Sequence, residues 1–245
     1  MGFSHIAWER AAAAVAARAV REVPFYRERH ARGLGVAPVP AAELERRLWA
    51  LCPLSRPYSA QREPTLWTGD PADLAAVLRI SGLGWPVVEV RSALVPWTRL
   101  GLLGPRYAPV LSGSAIAVDV STTDGPAKAL AASGVSVLVS PPDDVADVVA
   151  RIGHRGPVVR SLVKADQPDG HAVLHDRHLG YFAEWSTDCA QWHVPWRRFH
   201  VDAGEGGILV TALRRRRPTL VRVLVDVGLG RVAECPAHGT PVLLA

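Results

Sequence analysis

The sequence is short of the residues that mark several protein classes. Three cysteines among 245 residues cannot form the disulfide framework of a small secreted domain. Lysine occurs only at Lys128 and Lys164, so arginine carries the positive charge. No apolar run is long enough to cross a bilayer, and no membrane partner is expected. There is no internal repeat and no low-complexity tract, which sets aside solenoids and disordered linkers. Arg10, Arg18 and Arg21 punctuate the Ala-rich start, making it an amphipathic helix and not the apolar core of a signal peptide. The expected compartment is the cytoplasm, where thiols stay reduced or bind metal.

What is present fits a folded domain. Hydrophobic residues make up 49% and charged residues 21%, enough to bury a core and too apolar for disorder. A net charge of +5 permits phosphate or nucleic-acid contact without requiring it, and nucleic acid is not an expected partner. Residues 5–21 read as a helix that Pro24 closes or kinks. Residues 41–51 read as a second helix, and Asp70 or Asp73 caps a third that ends near Ser81-Gly82. Four prolines make residues 52–71 a loop-rich segment, and 94–103 is ambiguous.

Strands are expected at 86–90, 114–120, 135–139 and 157–163, with helices at 126–132 and 143–152 between them. Asp124 is the expected N-cap of the first of these helices, with Pro126 near its first position. That alternation predicts an α/β fold with a parallel, doubly wound sheet. After Gly170 the pattern turns strand-rich, with strands expected at 196–201, 207–213, 220–227 and 231–235. The expected organisation is an α/β part over 1–165 and a small antiparallel β-rich part over 166–245, which could also be one continuous domain.

Cys189 and His193 form one short-spaced pair, and Cys235 and His238 another. Such spacers let each pair reach one ion from a tight turn, and the two pairs bracket a β-rich segment. Together they predict a four-ligand zinc site. Its role is structural, because four protein ligands leave no open coordination position. Trp192 and Trp196 are read as packing residues. The polar cluster His171, His175, Asp176, His178, Glu184 and Asp188 lacks the spacing of a helical zinc motif and reads as loop. The Arg214–Arg217 run reads as a solvated turn, with no aromatics interleaved to make a single-strand platform.

Several segments resemble, in order, the phenylacetate–CoA ligase branch of adenylate-forming enzymes. Val23-Pro-Phe-Tyr-Arg-Glu-Arg29 is similar to its N-terminal signature, and Cys189 to Asp202 to its cysteine–histidine stretch. Gly206 to Leu213, Pro218 to Arg222 and Gly230 to Thr240 resemble later strands and a cysteine-rich turn, with His238 standing where that turn has its second Cys. The resemblance implies an abbreviated adenylate-forming N-terminal domain. It places Tyr181, Glu184 and His178 as catalytic candidates, and Asp226 and Arg222 as cofactor-binding ones. It also implies a small-molecule acyl or carboxylate substrate, with a homodimer or a partner enzyme as further partners.

The departures weaken the ATP reading. The Gly-rich phosphate loop is reduced to Leu66-Trp-Thr-Gly-Asp-Pro71, and the adenine-side motif is not matched by Leu179 to Glu184. The family's C-terminal catalytic subdomain has no counterpart, so ATP and Mg²⁺ are not expected. The first expectation is therefore a divergent biosynthetic enzyme performing transfer, condensation or cyclisation without ordinary adenylation. A non-catalytic scaffold that retains the fold is the alternative. An ATP-dependent acyl ligase working with a partner is the third.

Overall fold

Ser4 opens the first helix: its side chain accepts from the Ala7 N–H, and helix α1 runs His5–Glu22. Val23 then turns extended, and Pro24 starts α2 (Pro24–Ala31) from its first position, where a missing N–H has no consequence. The computed structural model describes residues 2–35, 37–47, 51, 71–84, 86–91, 106–113, 121–215 and 217–245. The expected strand at 114–120, the 94–103 segment, nearly all of the 52–71 loop and the residual phosphate loop lie outside the described residues.

The short strand β1 (Val39–Pro40) leads into α3 (Ala41–Arg46), and α4 (Pro71–Leu78) precedes β2 (Val87–Arg91) and β3 (Tyr107–Leu111). Helix α5 (Ser121–Ala132), β4 (Val137–Ser140), α6 (Val145–Ile152) and β5 (Val158–Leu162) follow. The capping expectation for Asp124 is corrected here. Asp124 lies inside α5, buried against Arg151 at 3.1 Å, and Pro126 is internal to the helix. Ser121-Thr-Thr-Asp124 is thus the first turn of that helix.

Beyond β5 the strands are β6 (Ala172–Asp176), β7 (Gly180–Ser186), β8 (Gln191–His193), β9 (Phe199–Gly204), β10 (Gly207–Ala212), β11 (Val223–Val225), β12 (Arg231–Glu234) and β13 (Pro241–Leu244). The expected strand at 196–201 starts only at Phe199, because Arg198 and Phe199 first turn back to the Pro195 carbonyl. The expected strand at 220–227 shrinks to three residues because Arg222 adopts φ +50° just before it.

A nine-stranded sheet runs β12-β13-β8-β7-β6-β5-β4-β2-β3. Its β3-β2-β4-β5-β6 run is parallel, and the other pairings are antiparallel. The parallel run has the 2-1-3-4-5 order of a doubly wound sheet, with the switch point between β2 and β4. The α/β expectation holds in this form. The sheet also passes residue 165 without a break, since β5 pairs directly with β6.

Helices cover both faces of the parallel run. Leu74, Val77 and Leu78 of α4 pack on Val87, Val137, Val139, Val159 and Val173. Ala127, Ala131, Val148 and Ile152 of α5 and α6 pack on Val88, Val90, Val110 and Leu138. The alternation of strand side chains assigns each residue to one helix layer or the other. A second sheet, β1-β11-β10-β9, faces the antiparallel strands, and a large core holding Trp8, Phe25, Tyr26, Phe182, Phe199 and Ile208 lies between them. Among the described residues no helix is long and apolar enough to cross a membrane.

Candidate metal centre and the groove beside it

Cys189 lies in the β7–β8 turn, where Ala190 takes φ +51° and reverses the chain tightly enough to bring His193 back beside it. Cys235 follows β12, and Gly239 at φ +59° closes the second turn, with its N–H on the Cys235 carbonyl. Strand β13 pairs Val242 with His193, so the sheet itself holds the two turns together.

The donor atoms of Cys189, His193, Cys235 and His238 all lie within 4.8 Å of one another. The Cys189 Sγ is 3.0 Å from His193 Nε2, and the Cys235 Sγ is 3.4 Å from His238 Nδ1. A tetrahedral zinc with bonds of about 2.0–2.3 Å sets its ligand atoms roughly 3.3–3.8 Å apart, so these four donors fit such an ion with small adjustments. Behind the site, Thr240 Oγ1 lies 3.1 Å from His193 Nδ1 and fixes which ring nitrogen faces the cluster.

The electrostatics favour ligation. Burial, then the neighbouring His238, pushes His193 down to about 4, so its imidazole is neutral at ordinary pH. Burial works against ionisation of Cys235, but hydrogen bonds from His238 and from the Ala237 and His238 backbone N–H groups hold its thiol below the usual value. Burial raises the Cys189 thiol, an effect that metal coordination would reverse.

A groove of about 970 Å³ opens beside this cluster, with His193, His238 and Thr240 on one wall. Arg79, Arg197, Arg198 and Arg214 contribute cations to it, and Phe3 and Trp196 an apolar surface. Among the described residues that line it, Asp188 is the one carboxylate. The Phe3 and Trp196 rings meet edge to face at 5.6 Å, and the Arg197 guanidinium sits 4.9 Å over the Trp196 ring. Chain folding therefore supplies the aromatic–arginine juxtaposition that the Arg214–Arg217 run lacks by itself.

The catalytic candidates separate. Between β6 and β7 the register slips at Leu174/His175, with Val173 opposite Glu184 but His175 opposite Tyr181. Phe182 is the extra residue, and this bulge turns Tyr181 and Glu184 to the same face, the one under α4. Tyr181 joins a buried polar cluster that the sequence did not indicate. Its hydroxyl hydrogen-bonds Glu89 and Ser161, Tyr107 donates to Glu89, and Arg91 lies 3.0 Å from the same carboxylate. Burial first, then Glu89, raises both phenols well above their ordinary value, so they stay protonated donors. Burial lowers His175 beside them. His178 is apart from this group, folded into the β6–β7 turn where the Asp176 carboxylate accepts from the His178 and Leu179 N–H groups.

Glu184 lies one hydrogen bond behind the groove wall. Its Oε2 accepts from the Ser81 N–H at 3.0 Å, while Oε1 has no hydrogen-bond partner among the described residues. Burial raises its pKa to about 7 against that bond. The folded protein therefore binds a proton here that the unfolded chain releases between pH 4.5 and 7, and stability from this group falls as pH rises through that window. Glu184→Gln is expected to flatten this slope and to stabilise the protein at pH 8 by up to about 3 kcal/mol. Urea unfolding of both proteins at about pH 5, 6.5 and 8 is the check. Parallel pH profiles would refute the assignment.

The cofactor candidates are engaged elsewhere. Arg222 donates to Asp202 at 2.9 Å, and Asp226 pairs with Lys164 at 2.6 Å on the surface. No family model matches the chain, and no curated protein matches it.

Proposed function

We propose that the chain is a divergent biosynthetic enzyme of the adenylate-forming superfamily that takes an acyl or carboxylate substrate and carries out transfer, condensation or cyclisation without ordinary ATP-dependent adenylation. The observation that carries this reading is the groove beside the Cys/His cluster, with arginines for a carboxylate and an aromatic surface for an acyl body. Arginine suits this role because its planar fork meets both carboxylate oxygens. Glu184, titrating near 7 one hydrogen bond behind the wall, is the group able to hold or release a proton there.

Zinc is the metal proposed for Cys189, His193, Cys235 and His238. It acts as a structural clasp that joins the β7–β8 turn to the β12–β13 turn and so shapes one side of the groove.

The test is a thermal-shift series. Acyl and aryl carboxylates are expected to raise the unfolding midpoint, while ATP with Mg²⁺ leaves it unchanged. Arg79→Ala and Arg214→Ala should each weaken the responding ligand by roughly tenfold. No shift with any carboxylate would sink the substrate reading and leave the retained fold as a partner-binding scaffold. A shift with ATP and Mg²⁺ would instead favour an ATP-dependent acyl ligase.

A further inference from the structure

A second group of metal-ligating side chains lies away from the clasp, where α1 crosses β9. Glu9, His200 and Asp202 bring one donor atom each to within 4.8 Å of one another. His200 is almost fully buried and packs at a 45° tilt against Trp8, with ring centroids 4.3 Å apart. Trp8 is itself fixed by donating its indole N–H to the Phe199 carbonyl at 2.8 Å. The imidazole is therefore held rigidly.

Its Nε2 faces Glu9 Oε1 at 3.1 Å, yet the two do not make a hydrogen bond, and this buried nitrogen has no other hydrogen-bond partner among the described residues. A carboxylate oxygen close to a ring nitrogen but off its N–H direction is the arrangement of two ligands on one ion. Metal bonds of about 2.1 Å at tetrahedral or octahedral angles set ligand atoms roughly 3.0–3.4 Å apart. The same Glu9 oxygen lies 3.7 Å from the Nε2 of His5, one helical turn away on α1.

On the other side of His200, Asp202 lies 3.9 Å from Nδ1, too far for a hydrogen bond, and its carboxylate is held by Arg222 at 2.9 Å. Glu9 supplies a negative charge that Arg222 does not neutralise, and a divalent cation would. A cavity of about 270 Å³, lined by His5, Trp8, Asp202 and Glu234 among others, adjoins the group at Asp202 and leaves room for water there.

We propose that Glu9, His200 and Asp202 form a second site for a divalent first-row transition metal. The donor set is nitrogen and oxygen alone, which suits borderline ions such as Zn²⁺, Co²⁺, Mn²⁺ or Fe²⁺. Three protein ligands leave positions open, so this metal is accessible where the clasp is closed. A histidine salt-bridged between α1 and β9 without metal is the competing account.

Cobalt titration of the chelator-treated full chain distinguishes the two sites. The clasp gives thiolate-to-cobalt charge transfer, and a nitrogen–oxygen site does not. About two equivalents are expected to bind, the second without added charge transfer. Glu9→Gln and Asp202→Asn should each weaken that second equivalent by about 10–100-fold and leave the charge-transfer band intact. Cys189→Ser combined with Cys235→Ser should remove the band and keep the second equivalent. Glu9 is half-exposed, so Glu9→Gln tests the site without disturbing the core. A single equivalent in the wild type, or a second one unaffected by both carboxylate variants, overturns the proposal whatever the clasp does.

Discussion

Chelation of metal from the clasp is expected to lower the unfolding midpoint by roughly 8–16 °C, with zinc restoring it. Binding linkage contributes about 4 kcal/mol when free zinc is a thousandfold above its dissociation constant. For a chain of this size each kcal/mol moves the midpoint by about 2–4 °C. The effect is large because the ion ties four side chains from two turns that the β8–β13 ladder only brings side by side. Cys189 and His193 enter from the β7–β8 turn, and Cys235 and His238 from the β12–β13 turn. Without the ion, two thiols and two imidazoles are left close together with only weak contacts between them. Cys235→Ser should match the chelated wild type and gain little from added zinc. Elemental analysis and melting curves read both effects. An unchanged midpoint after complete chelation would refute a structural role.

The second large effect is expected at Asp73. This carboxylate is buried in the first turn of α4 and takes two arginines, Arg198 at 2.6 Å and Arg215 at 2.9 Å. Arg215 is also buried, with a further bond to the Leu179 carbonyl at 3.0 Å. One anion therefore joins α4, the turn before β9 and the segment after β10. Asp73→Asn removes the charge and leaves both cations, and breaking such a buried network costs about 3–5 kcal/mol. The urea midpoint should fall while the slope of the transition stays the same. Adding Arg215→Met to Asp73→Asn should recover part of the loss, because the second change removes one stranded charge. Additive losses in the double variant would contradict the shared-network account.

The clustering of Cys189, His193, Cys235 and His238 was legible in the sequence because cysteine is rare here and its histidine partners are three or four residues away. Ligand pairs that close can be seen without a fold. The group at Glu9, His200 and Asp202 was not legible, since α1 and β9 are far apart in sequence and meet only through tertiary packing. The groove arginines at 79, 197, 198 and 214 were hidden for the same reason.

The first helix read well, from its start at residue 5 to its end before Pro24, but Pro24 was read only as a terminator and in fact also opens α2. Asp124 misled because an acidic residue before Gly-Pro resembles a cap, whereas its partner Arg151 belongs to another helix. Strand β7 gave no alternating pattern because the bulge at Phe182 breaks the two-residue period, and because the strand is buried throughout with Glu184 inside. Glu89 and Tyr107 went unnoticed since a lone polar residue in an apolar strand carries no sign of its distant partners.

The large core between the two sheets has a consequence for the order of assembly. Trp8 bonds to Phe199, and Tyr26 bonds to the Thr219 carbonyl, both across nearly the whole chain. The first helices to form are thus among the last to find their partners. Contacts this distant in sequence delay collapse, because the loop-closure entropy is lost before the contacts repay it. Until β9 to β11 exist, the apolar sides of α1 and α2 have nothing to cover them. Folding intermediates should therefore be sticky at the N-terminal helices, and the slow phase of refolding should carry the change in Trp8 fluorescence.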